Sequence, residues 1–294
     1  MTGSPTRGDS ARFDAAYHAV LADWGMLVEP LALTSPYGVT HVNTCGPQDG
    51  EPLVLLHGGG TTAASWYANA ARLSRTRRLY AIDRIGEPGL SVRGGQSIRT
   101  TTDLCDWLDA TLDGLGLERT DVCGHSYGAW IALNHALQSP ERVRRLILLD
   151  PTQSFAGFKP GYLLHALPML ARPTARRARA FLAWETGGAA FSDAWLQLYG
   201  RAAEFPRGRI VTGGRPQPAG LRALDVPTLA LFAENSRAHD SHKAAAVARM
   251  LLGNATVAII PGVSHHGLPM TEAEEVDTRI LEFLASTAAS ESHG

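Results

Sequence analysis

At 294 residues, with 45% hydrophobic and 19% charged residues and a net charge of −1, the chain can bury a full core without crosslinks and has no electrostatic grip on nucleic acid or an anionic membrane. No apolar stretch approaches the roughly 20 residues that cross a bilayer, so no membrane partner is expected. The three cysteines, Cys45, Cys105 and Cys123, are odd in number and scattered, which reads as reduced thiols in a cytoplasmic protein and excludes a disulfide scaffold.

Residues 1–12 are polar, contain Gly, Ser and Pro, lack the apolar centre of a signal peptide, and predict a disordered start. A helix is expected from about Ala11 to Trp24, then a first strand around Val39 to Thr44, ended by Cys45-Gly46-Pro47. Short apolar runs then recur at Leu53 to Leu56, Leu79 to Ile82, Asp121 to Cys123, Leu146 to Leu149, Thr228 to Phe232 and Thr256 to Ile260. They are too short for helices and read as buried strands. Between them Thr101 to Leu115 keeps Leu104, Leu108, Leu112 and Leu115 on one helical face; Tyr127 to Gln138, Ser241 to Leu252 and Thr271 to Ala288 also have helical composition. Strands alternating with helices predict an α/β fold: a mostly parallel, doubly wound sheet built from residues 13–150 and 225–294.

Residues 151–224 break this rhythm. They hold no run that reads as a buried strand, but several helix-like pieces, prolines, and the aromatics Phe155, Phe158, Tyr162, Phe181, Trp184, Phe191, Trp195 and Tyr199. A helical cap is expected, lying over the carboxyl end of the sheet as a lid, with about half of these aromatics holding it together and the rest lining a pocket. The basic cluster Arg172, Arg176, Arg177 and Arg179 falls within it and reads as a solvated face.

Three motifs carry chemistry. Gly124-His125-Ser126-Tyr127-Gly128 follows a strand and precedes a helix, so Ser126 must occupy a tight turn whose flanking glycines remove clashing Cβ atoms. His57-Gly58-Gly59-Gly60 ends an earlier strand, where backbone N–H groups can approach a developing oxyanion; the donors expected are the N–H of Gly59 and that of Tyr127. Pro261-Gly262-Val263-Ser264-His265-His266 follows the last strand and supplies His265 as general base, with His266 as its rival. His57 and His125 are expected to shape the site.

In this order and strand context the motifs resemble the α/β-hydrolase family, from about Tyr37 to the C-terminal helix. The likeness includes Asp83 to Ser91, similar to the Asp-x-x-Gly-x-Gly-x-Ser loop of many members. Within the family the chain looks most like bacterial carboxylesterases that begin with an extra N-terminal helix. The resemblance implies hydrolysis of a small-molecule ester, with no metal or organic cofactor. Thioesterase, C–C hydrolase or lyase chemistry on the same residues, or a non-catalytic ligand-binding role, are the alternatives. The chain departs from the family pattern after the penultimate strand, where Ala233-Glu234-Asn235-Ser236 puts Ser236 in place of the usual acid. A serine cannot stabilise an imidazolium as a carboxylate does. Asp150, at the end of the strand after the nucleophile's helix, is the leading substitute, with Glu234 and Asp240 as alternative acids. Oligomeric state is not legible.

Overall fold

The computed structural model describes residues 7–205 and 210–291. In chain order the elements are α1 (Arg7–Ala22), β1 (Glu29–Ser35), β2 (Gly38–Cys45), β3 (Glu51–Leu56), α2 (Tyr67–Leu73), β4 (Arg77–Ile82), β5 (Val92–Arg93), α3 (Thr101–Gly114), β6 (Thr120–His125), α4 (Tyr127–Gln138) and β7 (Val143–Leu149). Four helices follow, α5 (Pro160–Ala171), α6 (Ala175–Thr186), α7 (Asp193–Glu204) and α8 (Pro218–Ala223); then come β8 (Thr228–Ala233), α9 (Ser241–Leu251), β9 (Ala255–Ile260) and α10 (Ala273–Glu291).

The strands form one sheet in the order β1-β2-β4-β3-β6-β7-β8-β9, with β5 paired to β2. From β4 to β9 every neighbouring pair is parallel, whereas β2 runs antiparallel to β1, β4 and β5. Successive side chains of a strand point to opposite faces, and the central strands obey this throughout. Val54, Leu56, Val122, Leu146, Leu148, Ala230 and Phe232 pack under α3, α4 and α9. Their neighbours Leu53, Leu55, Cys123, Ile147, Leu149, Leu229 and Leu231 pack under α2 and α10. Both faces are therefore dry, which is why these strands read as unbroken apolar runs. The three cysteines are free and buried.

Two expectations near the N-terminus need correction. Helix α1 starts at Arg7, so residues 7–12, expected to be disordered, are helical; residues 1–6 lie outside the described residues. The helix is anchored by Phe13, Tyr17 and Val20, which pack against Leu198, Tyr199 and Ala202 of α7, and propagation from an anchored segment adds a hydrogen bond per residue even through polar sequence. The first strand is β1, which pairs with β2 in a hairpin. It is a largely exposed edge strand in which the short run Leu31-Ala32-Leu33 follows Pro30, a residue that argues against a central strand.

Residues 151–224 hold helices α5 to α8 and no strand among the described residues. They enter from β7, return to β8, and share a small core with α1 through Ala178, Leu182, Trp195 and Leu198. Among the described residues no helix is long and apolar enough to cross a membrane.

Candidate active site

Ser126 stands between the end of β6 and the first residue of α4, with φ 56° and ψ −113°, a strained conformation for a residue bearing a side chain. A Cβ on Gly124 would lie 2.4 Å from the carbonyl of Gly128, and one on Gly128 would lie 2.2 Å from the carbonyl oxygen of Leu56. The glycines are steric requirements of a helix that starts directly against the sheet. The backbone N–H of Ser126 donates to Leu149 at 2.9 Å, tying the turn to β7.

The loop after β9 brings His265 over this turn. Its Nε2 lies 2.8 Å from Ser126 Oγ, although the two residues are 139 apart in sequence. Its Nδ1 lies 2.6 Å from Oδ2 of Asp150, the residue just past β7. An ionised carboxylate can only accept, so the imidazole's contact with Asp150 requires the proton on Nδ1 and leaves Nε2 free to accept from the serine hydroxyl. Asp150 is fully buried and has φ 42°. It also accepts from Ser236 Oγ at 2.9 Å, Ala233 N–H at 3.0 Å and His239 Nε2 at 3.1 Å. Burial opposes its ionisation, but His239 and His265 outweigh that and hold the carboxyl well below the usual carboxylate range.

The other two candidate acids are engaged elsewhere. Glu234 is exposed and accepts the N–H of Gly262 at 2.8 Å, while Asp240 caps α9 by accepting the N–H of Lys243 at 3.0 Å. Ser236, at the position where an acid was expected, is instead a donor to Asp150. Ser126 Oγ is hydrogen-bonded to His265, whereas His266 Nδ1 is held 2.9 Å from Glu185 Oε2.

His57 and His125 act as backbone braces. His57 Nδ1 donates to the carbonyl of Gly58 at 2.8 Å and Nε2 accepts the Arg84 N–H at 3.2 Å, with burial keeping the ring's pKa below the ordinary histidine value. His125 Nε2 donates to the carbonyl of His265 at 2.9 Å; burial and the neighbouring His265 push its imidazole down to about 3, so it is neutral. The Gly-rich loop is also fixed by Glu87, which accepts the Gly60 N–H at 2.6 Å and is ion-paired with Arg84. A Cβ on Gly59 would touch Tyr127 Cβ at 3.4 Å, so the Gly59 and Tyr127 backbones flank Ser126 together. The first N–H groups of α4 have no intrahelical partner, and the positive end of that helix lies here.

A cavity of about 310 Å³ opens onto Ser126, with walls from Gly59, Tyr127, Trp130, Leu163, Ala166, Met169, Ile210 and His266. The aromatics of residues 151–224 divide between the cavity and packing elsewhere, Phe155 against the sheet and not within the insertion. Phe158, Tyr162, Phe181 and Tyr199 line the cavity. Phe155 packs on Phe232, Trp184 stacks on His165, and Phe191 packs on Trp195.

Three participants escaped sequence reasoning: His239, Glu87 and Glu185. Glu185 had a signal, because Ala178, Phe181, Leu182 and Glu185 form the buried stripe of α6, and a carboxylate on such a stripe needs a partner. His239 had none, since only the fold brings it to Asp150.

The chain belongs to the alpha/beta hydrolase family, matching it over residues 53–278. It is carboxylesterase-like within that family. Carboxylesterase YbfK of Bacillus subtilis is 30% identical over 93% of both chains. The crystal structure of the B. subtilis carboxylesterase CesB (YbfK) superposes with a TM-score of 0.89 at 28% identity, covering 95% of this chain and 99% of that one. The B. subtilis naproxen esterase (carboxylesterase NP) gives 0.88 at 28% identity, with the same coverage.

Proposed function

We propose that this chain is a serine carboxylesterase that cleaves a carboxylic ester of a small, largely apolar substrate through an acyl-enzyme. One observation carries the reading: the continuous relay Ser126 Oγ to His265 Nε2 at 2.8 Å and His265 Nδ1 to Asp150 Oδ2 at 2.6 Å. His265 takes the hydroxyl proton as Ser126 Oγ attacks the ester carbonyl. The N–H groups of Gly59 and Tyr127 receive the oxyanion, each donor contributing about 3–4 kcal/mol to the transition state. The imidazolium, held by ionised Asp150, protonates the leaving alcohol. Water then attacks the acyl-enzyme with His265 again as base, releasing the acid and restoring Ser126. The mainly apolar cavity, with few polar groups near Ser126, supports an apolar acyl or alcohol group. In this reading α5 to α8 form the lid over the site, and the likeness to carboxylesterases of nearly equal length favours an ester over a thioester or C–C bond.

The test is Ser126→Ala assayed on short p-nitrophenyl esters. Turnover should vanish while the thermal transition stays near that of the parent, and a fluorophosphonate should label the parent at Ser126 only. Full activity in the alanine variant would refute the proposal.

A further inference from the structure

The loop bearing His265 is held from two sides. On the sheet side, His125 donates to the carbonyl of His265. On the other side, Glu185 of α6 accepts three hydrogen bonds: from the N–H of His265 at 3.1 Å, the N–H of His266 at 3.1 Å and Nδ1 of His266 at 2.9 Å. The Glu185 side chain has no solvent exposure. Burial raises its pKa, but the hydrogen bond and charge of His266, with His265 adding to them, bring the carboxyl down to about 2, so it is ionised in the folded protein. Isolated burial of a carboxylate is among the costliest events in folding, and the remaining inward residues of α6, Ala178, Phe181 and Leu182, fill their space with carbon alone.

We propose that Glu185 is a positioning residue for the base. By capturing two consecutive backbone N–H groups it sets the path of residues 265–266, and so the direction from which the imidazole meets both Asp150 and Ser126. The inference rests on the assignment of His265 as base. It makes the insertion more than a cover, because α6 supplies a strut of the catalytic loop. Phe181, four residues earlier and on the same helical face, lines the cavity. The helix that contacts bound substrate is thus the helix that holds the base.

The test is Glu185→Gln, which keeps the shape but replaces one acceptor oxygen by a donor facing N–H groups and removes the charge. A displacement of the base by a fraction of an ångström to 1 Å lowers kcat roughly 10- to 100-fold, with KM for a p-nitrophenyl ester within about threefold if binding is spared. Loss of a buried anion beside the imidazolium shifts the acidic limb of the kcat/KM profile to lower pH, by about half a unit or more. The other groups around this loop are Asp150 past β7, His125 at the end of β6, His239 ahead of α9, Tyr162 on α5 and Tyr199 on α7, and all keep their identities in the variant. Glu185→Asp retains the charge one methylene short: the pH profile should return toward that of the parent while kcat stays low. That second variant also carries the test if the glutamine protein does not fold.

A glutamine variant with parental kcat and pH profile, or one whose whole defect lies in KM, overturns the proposal, as does an aspartate variant with parental kcat. Fluorophosphonate labelling keeps the two readings apart. If the parent is not labelled at Ser126, the triad assignment fails and this inference with it. If parent and glutamine variant are labelled equally fast, only the role of Glu185 fails.

Discussion

The sheet and the helical insertion are built on opposite terms. In the sheet, β6 and β8 are buried along their whole length, and each residue has a layer of helices above or below it. In the insertion, α5 buries only Ala166 and leaves Leu163, Leu164, Leu167 and Leu170 between 46% and 64% exposed. A buried strand is constrained twice over, by its ladder hydrogen bonds and by packing on two faces. A helix laid on the outside satisfies its own backbone and answers to one face only. Substitutions should therefore be costly all along the central strands, and in the insertion only at the residues that reach the site or the small core shared with α1.

Four experiments probe that contrast. The largest effect is expected at the end of β7, where Asp150→Asn should lower kcat about 10⁴-fold, or about 5.5 kcal/mol of transition-state stabilisation, while leaving the serine labelled slowly by a fluorophosphonate. Steady-state kinetics decides it, and a loss below tenfold would mean that the carboxylate is dispensable. Next is Gly128→Ala: its Cβ would stand 2.2 Å from the Leu56 carbonyl, and denaturant unfolding should register a loss of about 3 kcal/mol.

A smaller, pH-dependent effect belongs to Asp277 on α10. Its buried carboxyl accepts from Asn69 Nδ2 at 2.8 Å, and burial pushes its pKa up to about 7 from 3.8. The folded state thus keeps a proton that the unfolded chain has lost, so this contribution is complete below about pH 4 and is eroded as pH rises toward 7. Asp277→Asn should match the parent near pH 4 and exceed it by about 1–3 kcal/mol at pH 8 in unfolding experiments. Equal stability at both pH values would show that the carboxyl is not perturbed. The smallest change is expected on the outer face of the insertion, where Leu164→Gln should alter stability by no more than about 0.5 kcal/mol. A large loss of stability there would erase the contrast between the two regions.

Much of the core was legible because its signals are local. Leu53 to Leu56 and Leu146 to Leu149 are short apolar runs that read as strands covered on both faces, and the helix expected over Tyr127–Gln138 has those same bounds in the structure. The glycines at 124 and 128 announced the tight turn, since a missing side chain is a local fact. Helix α1 reached further back than its composition implied, and β1 went unseen because an exposed edge carries no burial pattern.

By itself the sequence determined that this is an alternating α/β chain, which serine sits in a glycine-flanked turn, and which late loop carries a histidine pair. Only the tertiary structure decided which of three carboxylates meets His265, that Ser236 and His239 share that carboxylate, and that Glu185 reaches the same loop from the insertion. The reason is physical. Strand, helix and turn preferences are settled within a few residues of chain, whereas a hydrogen bond between groups 80 to 139 positions apart depends on the sheet order and on the course of every loop between them.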